Sequence, residues 1–196
     1  MKPKIARALL GLPLSLVLML GGCEHLPQKT TVNPDVNVGN IDIGNGREIA
    51  FKLEDERPSK IIGRRGAGSI EGAEIVPAAD VGMVFQQEIS NGLEMIGFQV
   101  IPYSDNHPLR MVIELRELKY STSLGFWTVG VHMNAAMKVQ AFSGDAKYEE
   151  FYRTAEEETV IFMNSADEND ELINKAASNL LQQFFDDLEL RSFLMH

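Results

Sequence analysis

Val129-Gly130-Val131-His132-Met133-Asn134-Ala135-Ala136-Met137-Lys138-Val139-Gln140-Ala141 sets the fold of this chain. Val129, Val131, Met133, Ala135, Met137, Val139 and Ala141 recur at every second residue, with His132, Asn134, Lys138 and Gln140 between them. A period of two sends these two sets to opposite faces of a pleated strand, so one face is apolar and has to be covered. Ser143-Gly144-Asp145 then turns the strand into a hairpin. Lys147 to Phe162 reads as the return strand, where Phe151 and Ile161 stand out of phase with Tyr148 and Tyr152 and predict a bulge. Upstream, Leu109, Met111, Ile113 and Leu115 alternate in the same way and give a further long strand.

Two amphipathic helices are available to cover the sheet. Val81, Val84, Phe85, Ile89, Leu93 and Ile96 fall at helical spacing behind Pro77, and Gly97 suits the helix end. Leu172, Ile173, Ala176, Ala177, Leu180, Leu181, Phe184, Phe185 and Leu188 form the apolar face of a closing helix that Ser165 or Asp167 can cap. Ile49, Phe51 and Leu53 alternate in a first strand that ends at Asp55-Glu56-Arg57-Pro58, and Phe98 to Ile101 is a short strand. The expected fold class is α+β: a two-layer sandwich, a mostly antiparallel sheet with two helices on one face, in the order β-α-β-β-β-β-α.

The front of the chain is of a different kind. Lys2, Lys4 and Arg7 precede an apolar run from Ala8 to Leu20. Thirteen residues as a helix reach about 20 Å, short of the roughly 30 Å hydrocarbon core, so the run reads as a secretory signal rather than a membrane span. Leu20-Gly21-Gly22-Cys23 follows and resembles a lipobox, at which a bacterial precursor is acylated on Cys and cleaved before it. Cys23 is the single cysteine, so no internal disulfide is available. Resemblance to lipoprotein precursors implies more than one acyl chain on Cys23, enough for stable anchoring in a lipid bilayer. It also implies that Glu24, in a place where Asp tends to retain such proteins in the inner membrane, directs this one to the periplasmic face of the outer membrane. The division expected is a signal peptide over 1–22, a lipidated N-terminus and flexible tether over 23–46, and one periplasmic domain over 47–196.

The formal net charge is −10 over 196 residues, and loss of Lys2, Lys4 and Arg7 makes it −13. That excludes nucleic acid as an obvious partner. The exception is local: Arg57, Lys60, Arg64 and Arg65 cluster early, whereas acids crowd the C-terminal third as a solvated face.

No pattern of residues calls for a reaction or a cofactor. His25, His107, His132 and His196 are scattered, and neither H-E-x-x-H nor G-x-S-x-G occurs. Gly63-Arg64-Arg65-Gly66-Ala67-Gly68 lacks the Gly-Lys-Ser/Thr ending of a phosphate loop. It reads either as a surface loop or as a basic patch for an anionic envelope group. Asp55 and Arg57 point to the same side of an extended chain, either as a salt bridge that shapes the loop or as an Arg presented to a partner carboxylate.

Tyr120-Ser121-Thr122-Ser123-Leu124-Gly125-Phe126-Trp127 is too apolar for an ordinary connection between strands. The expectation is that Trp127 caps an open end of the core while Leu124 and Phe126 are exposed for a partner or membrane contact.

Asp55-x-Arg57 with Gly63 after the first strand, Gly97-Phe98-x-Val100 after the first helix, Tyr152-Arg153 in the return strand, Cys23 and the closing helix together resemble the YajG family of Gram-negative lipoproteins. The resemblance implies lipidation, a periplasmic location and a compact α/β domain, and it brings no catalytic residue. The functional expectation is a membrane-anchored, non-catalytic binding or accessory module that meets an envelope protein or an anionic envelope polymer. The alternative is an envelope enzyme, or a binder of anionic glycan or lipid headgroups, with an unrecognised site. Candidate partner-binding residues are Asp55, Arg57, Arg64, Arg65, Leu124 and Phe126.

Overall fold

The structure, a computed structural model, describes residues 26–39, 41–66 and 72–196. Cys23, His25 and the lipobox lie outside the described residues. Five strands form the main sheet: β2 (Glu48–Asp55), β5 (Gln99–Pro102), β6 (Leu109–Leu124), β7 (Val129–Ser143) and β8 (Ala146–Val160). Their order across the sheet is β5-β2-β6-β7-β8. The short strands β1 (Gln28–Thr30), β3 (Gly63–Arg64) and β4 (Glu74–Pro77) make a second sheet, β1-β4-β3. Helices α1 (Val81–Met95) and α2 (Ala166–Asp186) pack side by side on one face of the main sheet, and α3 (Leu188–Met195) closes the chain.

The expected α+β sandwich and its element order are therefore present, with β1, β3, β4 and α3 added. The main sheet is mixed: β2 runs parallel to both β5 and β6, while β6, β7 and β8 form a long antiparallel meander. Val131, Met133, Met137, Val139 and Ala141 are fully buried, as their period of two requires. They meet Leu172, Ile173, Leu180, Leu181 and Phe184, the stripe of α2, in one continuous core. The opposite sheet face is polar and is held by pairs such as Lys138–Glu149 at 3.1 Å and Arg153 stacked 4.4 Å over the Phe151 ring.

Local chemistry sets the helix ends. The Asp80 carboxylate accepts from the Met83 N–H and starts α1 at Val81, four residues beyond Pro77, which instead ends β4. Gly97, at φ 93°, ends α1 in the left-handed region. Ser165 and Glu168 cap α2 reciprocally. Asp187 breaks the closing helix and caps α3, so the stretch expected as one helix is two.

The bulge is not in the return strand. β7 and β8 stay in unbroken register from Val129↔Val160 to Ser143↔Ala146. Phe151 stands out of phase with Tyr152 because it faces the polar side, where Arg153 covers it. The register shift is in β6, between Leu115 and Glu117, where β2 stops at its Asp55↔Leu115 pair.

The expected flexible tether is also corrected. From Gln28 onward it is packed: Val32 and Val38 are buried and Ile43 joins the same core. Residues 33, 35 and 37 lie extended along α2. Their N–H groups donate to Asn174 Oδ1 at 2.6 Å, Ser178 Oγ at 2.9 Å and Gln182 Oε1 at 3.0 Å. Two extended residues advance about 6.6 Å and four helical residues about 6 Å, so every second amide finds every fourth side chain.

A basic cleft and an apolar tip on one strand

Beyond Leu115, β6 has lost β2 as its neighbour. The segment from Arg57 to Gly66 takes the vacated edge, with the Tyr120 N–H donating to the Ile62 carbonyl at 2.8 Å. Gly63 permits this approach, since a Cβ there would sit 2.3 Å from the Tyr120 carbonyl oxygen. Between this segment and residues 116–122 lies a cleft of about 740 Å³. Among the described residues its charged lining is Arg57, Arg64, Arg65, Arg116 and Lys119, with Glu117 the acid.

Three polar atoms around the cleft are buried without a hydrogen-bond partner among the described residues: Arg57 Nη1, Arg65 Nε and the Tyr120 hydroxyl. The Arg57 side chain is only 2% exposed. Its Nε and Nη2 each donate to Asp55 at 2.9 Å, and Lys60 bridges the same carboxylate at 2.8 Å. Burial pushes the Asp55 carboxyl upward, and hydrogen bonds from Arg57 and Lys60 more than reverse this, holding it at about 2. Burial pushes the Tyr120 phenol up to about 12.

Of the residues picked from sequence, Arg57, Arg64 and Arg65 therefore meet in one site. Asp55 stands behind Arg57 and does not line the cleft. Arg64 pairs with Glu74 at 2.7 Å across β3 and β4 while exposed. Arg116 and Lys119 carry no distinguishing signal in the sequence, because they join the cleft only through the bulge at Arg116.

Leu124 and Phe126 lie farther along β6 and its turn, 62% and 90% exposed. Trp127 does not cap the core: it is 80% exposed, its ring set edge-on against Phe126 at 4.9 Å. The β6–β7 ladder runs out to Leu124↔Val129, leaving a turn too short to fold back over the core.

A family model described as "Uncharacterized lipoprotein" matches residues 34–195. The chain belongs to that family. The match agrees with the YajG-type resemblance drawn from its motifs and leaves the family's role open. No curated protein matches the chain. Among solved structures, protein XCC0632 of Xanthomonas campestris aligns at TM-score 0.52 and 7% identity, over 84% of this chain and 96% of that one. It shares the fold. A putative neuraminyllactose-binding hemagglutinin homolog of Helicobacter pylori aligns at 0.42 and 10% identity, over 85% and 96%. Lipoprotein GNA1162 of Neisseria meningitidis aligns at 0.37 and 11%, over 72% and 99%.

One arrangement in this family member has the outline of a hydrolase triad. Ser123 Oγ lies 3.0 Å from His132 Nε2, and His132 Nδ1 lies 3.8 Å from Glu157 Oε1. The second distance is too long for the hydrogen bond that orients a catalytic imidazole. The three stand on the outward face of β6, β7 and β8. Among the described residues no group of three metal ligands converges, and no helix is long and apolar enough to cross a membrane.

Proposed function

We propose that this lipoprotein is a non-catalytic binding module of the bacterial envelope, held by acylated Cys23 at the periplasmic face of the outer membrane, and that its cleft takes an anionic group of an envelope partner. The observation that carries the reading is the cleft itself. Among the described residues, five cationic side chains and one acid line this concavity in a chain of net charge −10. Arg57 and Arg65 there hold buried N–H groups with no acceptor among the described residues. Such donors favour a carboxylate or phosphate that enters from outside.

The test is affinity capture of the lipidated protein from membranes, with Arg64→Glu/Arg65→Glu beside the wild type. The variant is expected to lose its partners while its melting temperature falls by only a few degrees, because Arg64 is exposed and its pair with Glu74 contributes little. Equal recovery would return the loop to a structural role. Cys23→Ala, run in parallel, is expected to leave the membrane fraction or accumulate uncleaved. Processing and sedimentation like the wild type would refute the anchor.

A further inference from the structure

Leu124, Phe126, Trp127, Ile161, Phe162 and Met163 gather at one end of the main sheet. The ladder sets Leu124 opposite Val129 and Val129 opposite Val160, so the β6–β7 turn and the chain leaving β8 emerge side by side. Phe126, Trp127 and Phe162 are 90%, 80% and 83% exposed, and Ile161 is 73% exposed. Singly exposed apolar residues need no explanation, but six in two adjacent segments mark an interaction surface.

The chain's own front end indicates what covers it. Gln28 is pinned to the first turns of α2: its Nε2 donates to the Ala166 carbonyl and to Asp170 Oδ1, each at 2.9 Å, and its Oε1 accepts from Asn169 at 3.1 Å. Ala166 is four residues beyond Phe162. Cys23 precedes Gln28 by five residues, a length that reaches at most about 18 Å when fully extended. An acylated Cys23 therefore brings the bilayer surface to the end of the sheet that carries the apolar tip.

We infer that this tip, Leu124-Gly125-Phe126-Trp127 with Ile161-Phe162-Met163, seats in the interfacial layer of the same bilayer that holds Cys23. Trp and other aromatic rings are favoured at that depth. The lipid anchor keeps the tip at high effective concentration, so a weak intrinsic contact suffices. Two points of attachment then fix the domain's orientation. Since the cleft is lined by residues 116–122 of the strand that ends at Leu124, docking also holds the cleft beside the lipid headgroups. The inference rests on the acylation of Cys23.

Trp127 is the chain's single tryptophan and reports the tip directly. The acylated full-length mature protein is reconstituted into phosphatidylethanolamine–phosphatidylcholine vesicles carrying doxyl-labelled lipid, and its N-terminal peptide is weighed to establish acylation. Expected is a blue-shifted emission that shallow doxyl labels quench more strongly than deep ones. Phe126→Ser/Phe162→Ser should stay membrane-bound through its acyl chains, keep its melting temperature and lose the quenching. An acylated wild type whose Trp127 is quenched by iodide but not by doxyl lipid overturns the docking and leaves the anchor standing. An unacylated peptide overturns both. A blue shift that grows with protein concentration without lipid assigns the tip to a second copy and also overturns the proposal.

Discussion

Gln182 pairs with Asn37 as one strand pairs with another: its Oε1 accepts from the Asn37 N–H at 3.0 Å and its Nε2 donates to the Asn37 carbonyl at 2.9 Å. A side-chain amide on a helix thus completes the backbone of an extended strap. Gln182→Ala removes both bonds from a partly exposed site and is expected to lower stability by about 1 kcal/mol. Hydrogen exchange locates the effect: the Asn37 amide should lose protection, while Asn33, held by Asn174, should keep most of its own. Unchanged exchange at Asn37 would mean the strap does not depend on Gln182.

That strap also shows how far the sequence could be read. Val32, Pro34, Val36 and Val38 alternate, which is a strand signal, yet Pro34, Gly39 and four Asn or Asp residues around them give the composition of a linker. A strap held by helix side chains leaves no sheet pattern in the sequence. The long strands and both large helices were legible because each buries one face, and burial forces periodicity. The cleft was half legible. Arg57, Arg64 and Arg65 stood out as a local run, whereas Arg116 and Lys119 come from a strand some fifty residues on and join them only through the bulge and the edge left by β2. Trp127 was misplaced because apolarity signals burial in general, and it does not by itself distinguish a core from a surface used for contact.

Asp55 makes acid stability a probe of the cleft. Its folded pKa of about 2 lies below the unfolded value near 3.9, so its contribution is present above the unfolded value and is lost as pH falls through about 2. The shift corresponds to about 2–3 kcal/mol. Urea denaturation between pH 6 and pH 2 should show this loss in the wild type and a flatter profile in Asp55→Asn. At neutral pH the variant leaves a buried guanidinium without its anion and should be destabilised by about 3–5 kcal/mol. Equal midpoints at pH 6 would contradict the pairing.

Gly92 and Phe185 lock α1 to α2. A Cβ at Gly92 would stand 2.1 Å from the Phe185 ring, and Phe185 is buried against Phe184 with ring centroids 4.8 Å apart. Gly92→Ala should therefore destabilise by about 1–3 kcal/mol, although Ala is the better helix former. Phe185→Leu makes room for the methyl group, so the double variant should be less destabilised than the two single effects added together. Simple additivity would place the clash elsewhere.

Trp127 and Phe184 should respond in opposite ways to the same truncation. Phe184 is 1% exposed, between the sheet and α2, with its ring edge-on to Tyr152 at 6.0 Å. Phe184→Ala opens a cavity that neighbours on a strand and a helix cannot collapse to fill, for a loss of about 3–5 kcal/mol. Trp127 is the larger ring, yet its aromatic neighbour is Phe126, itself 90% exposed, so its removal takes little apolar area out of the fold. Trp127→Ala should shift the unfolding free energy by less than about 0.5 kcal/mol. Both are measured by urea denaturation of Cys23→Ala protein in vesicle-free buffer, where no bilayer can cover the tip. A Trp127→Ala loss of several kcal/mol there would mean that the ring closes the core after all, and the end of the sheet would no longer be free for a contact.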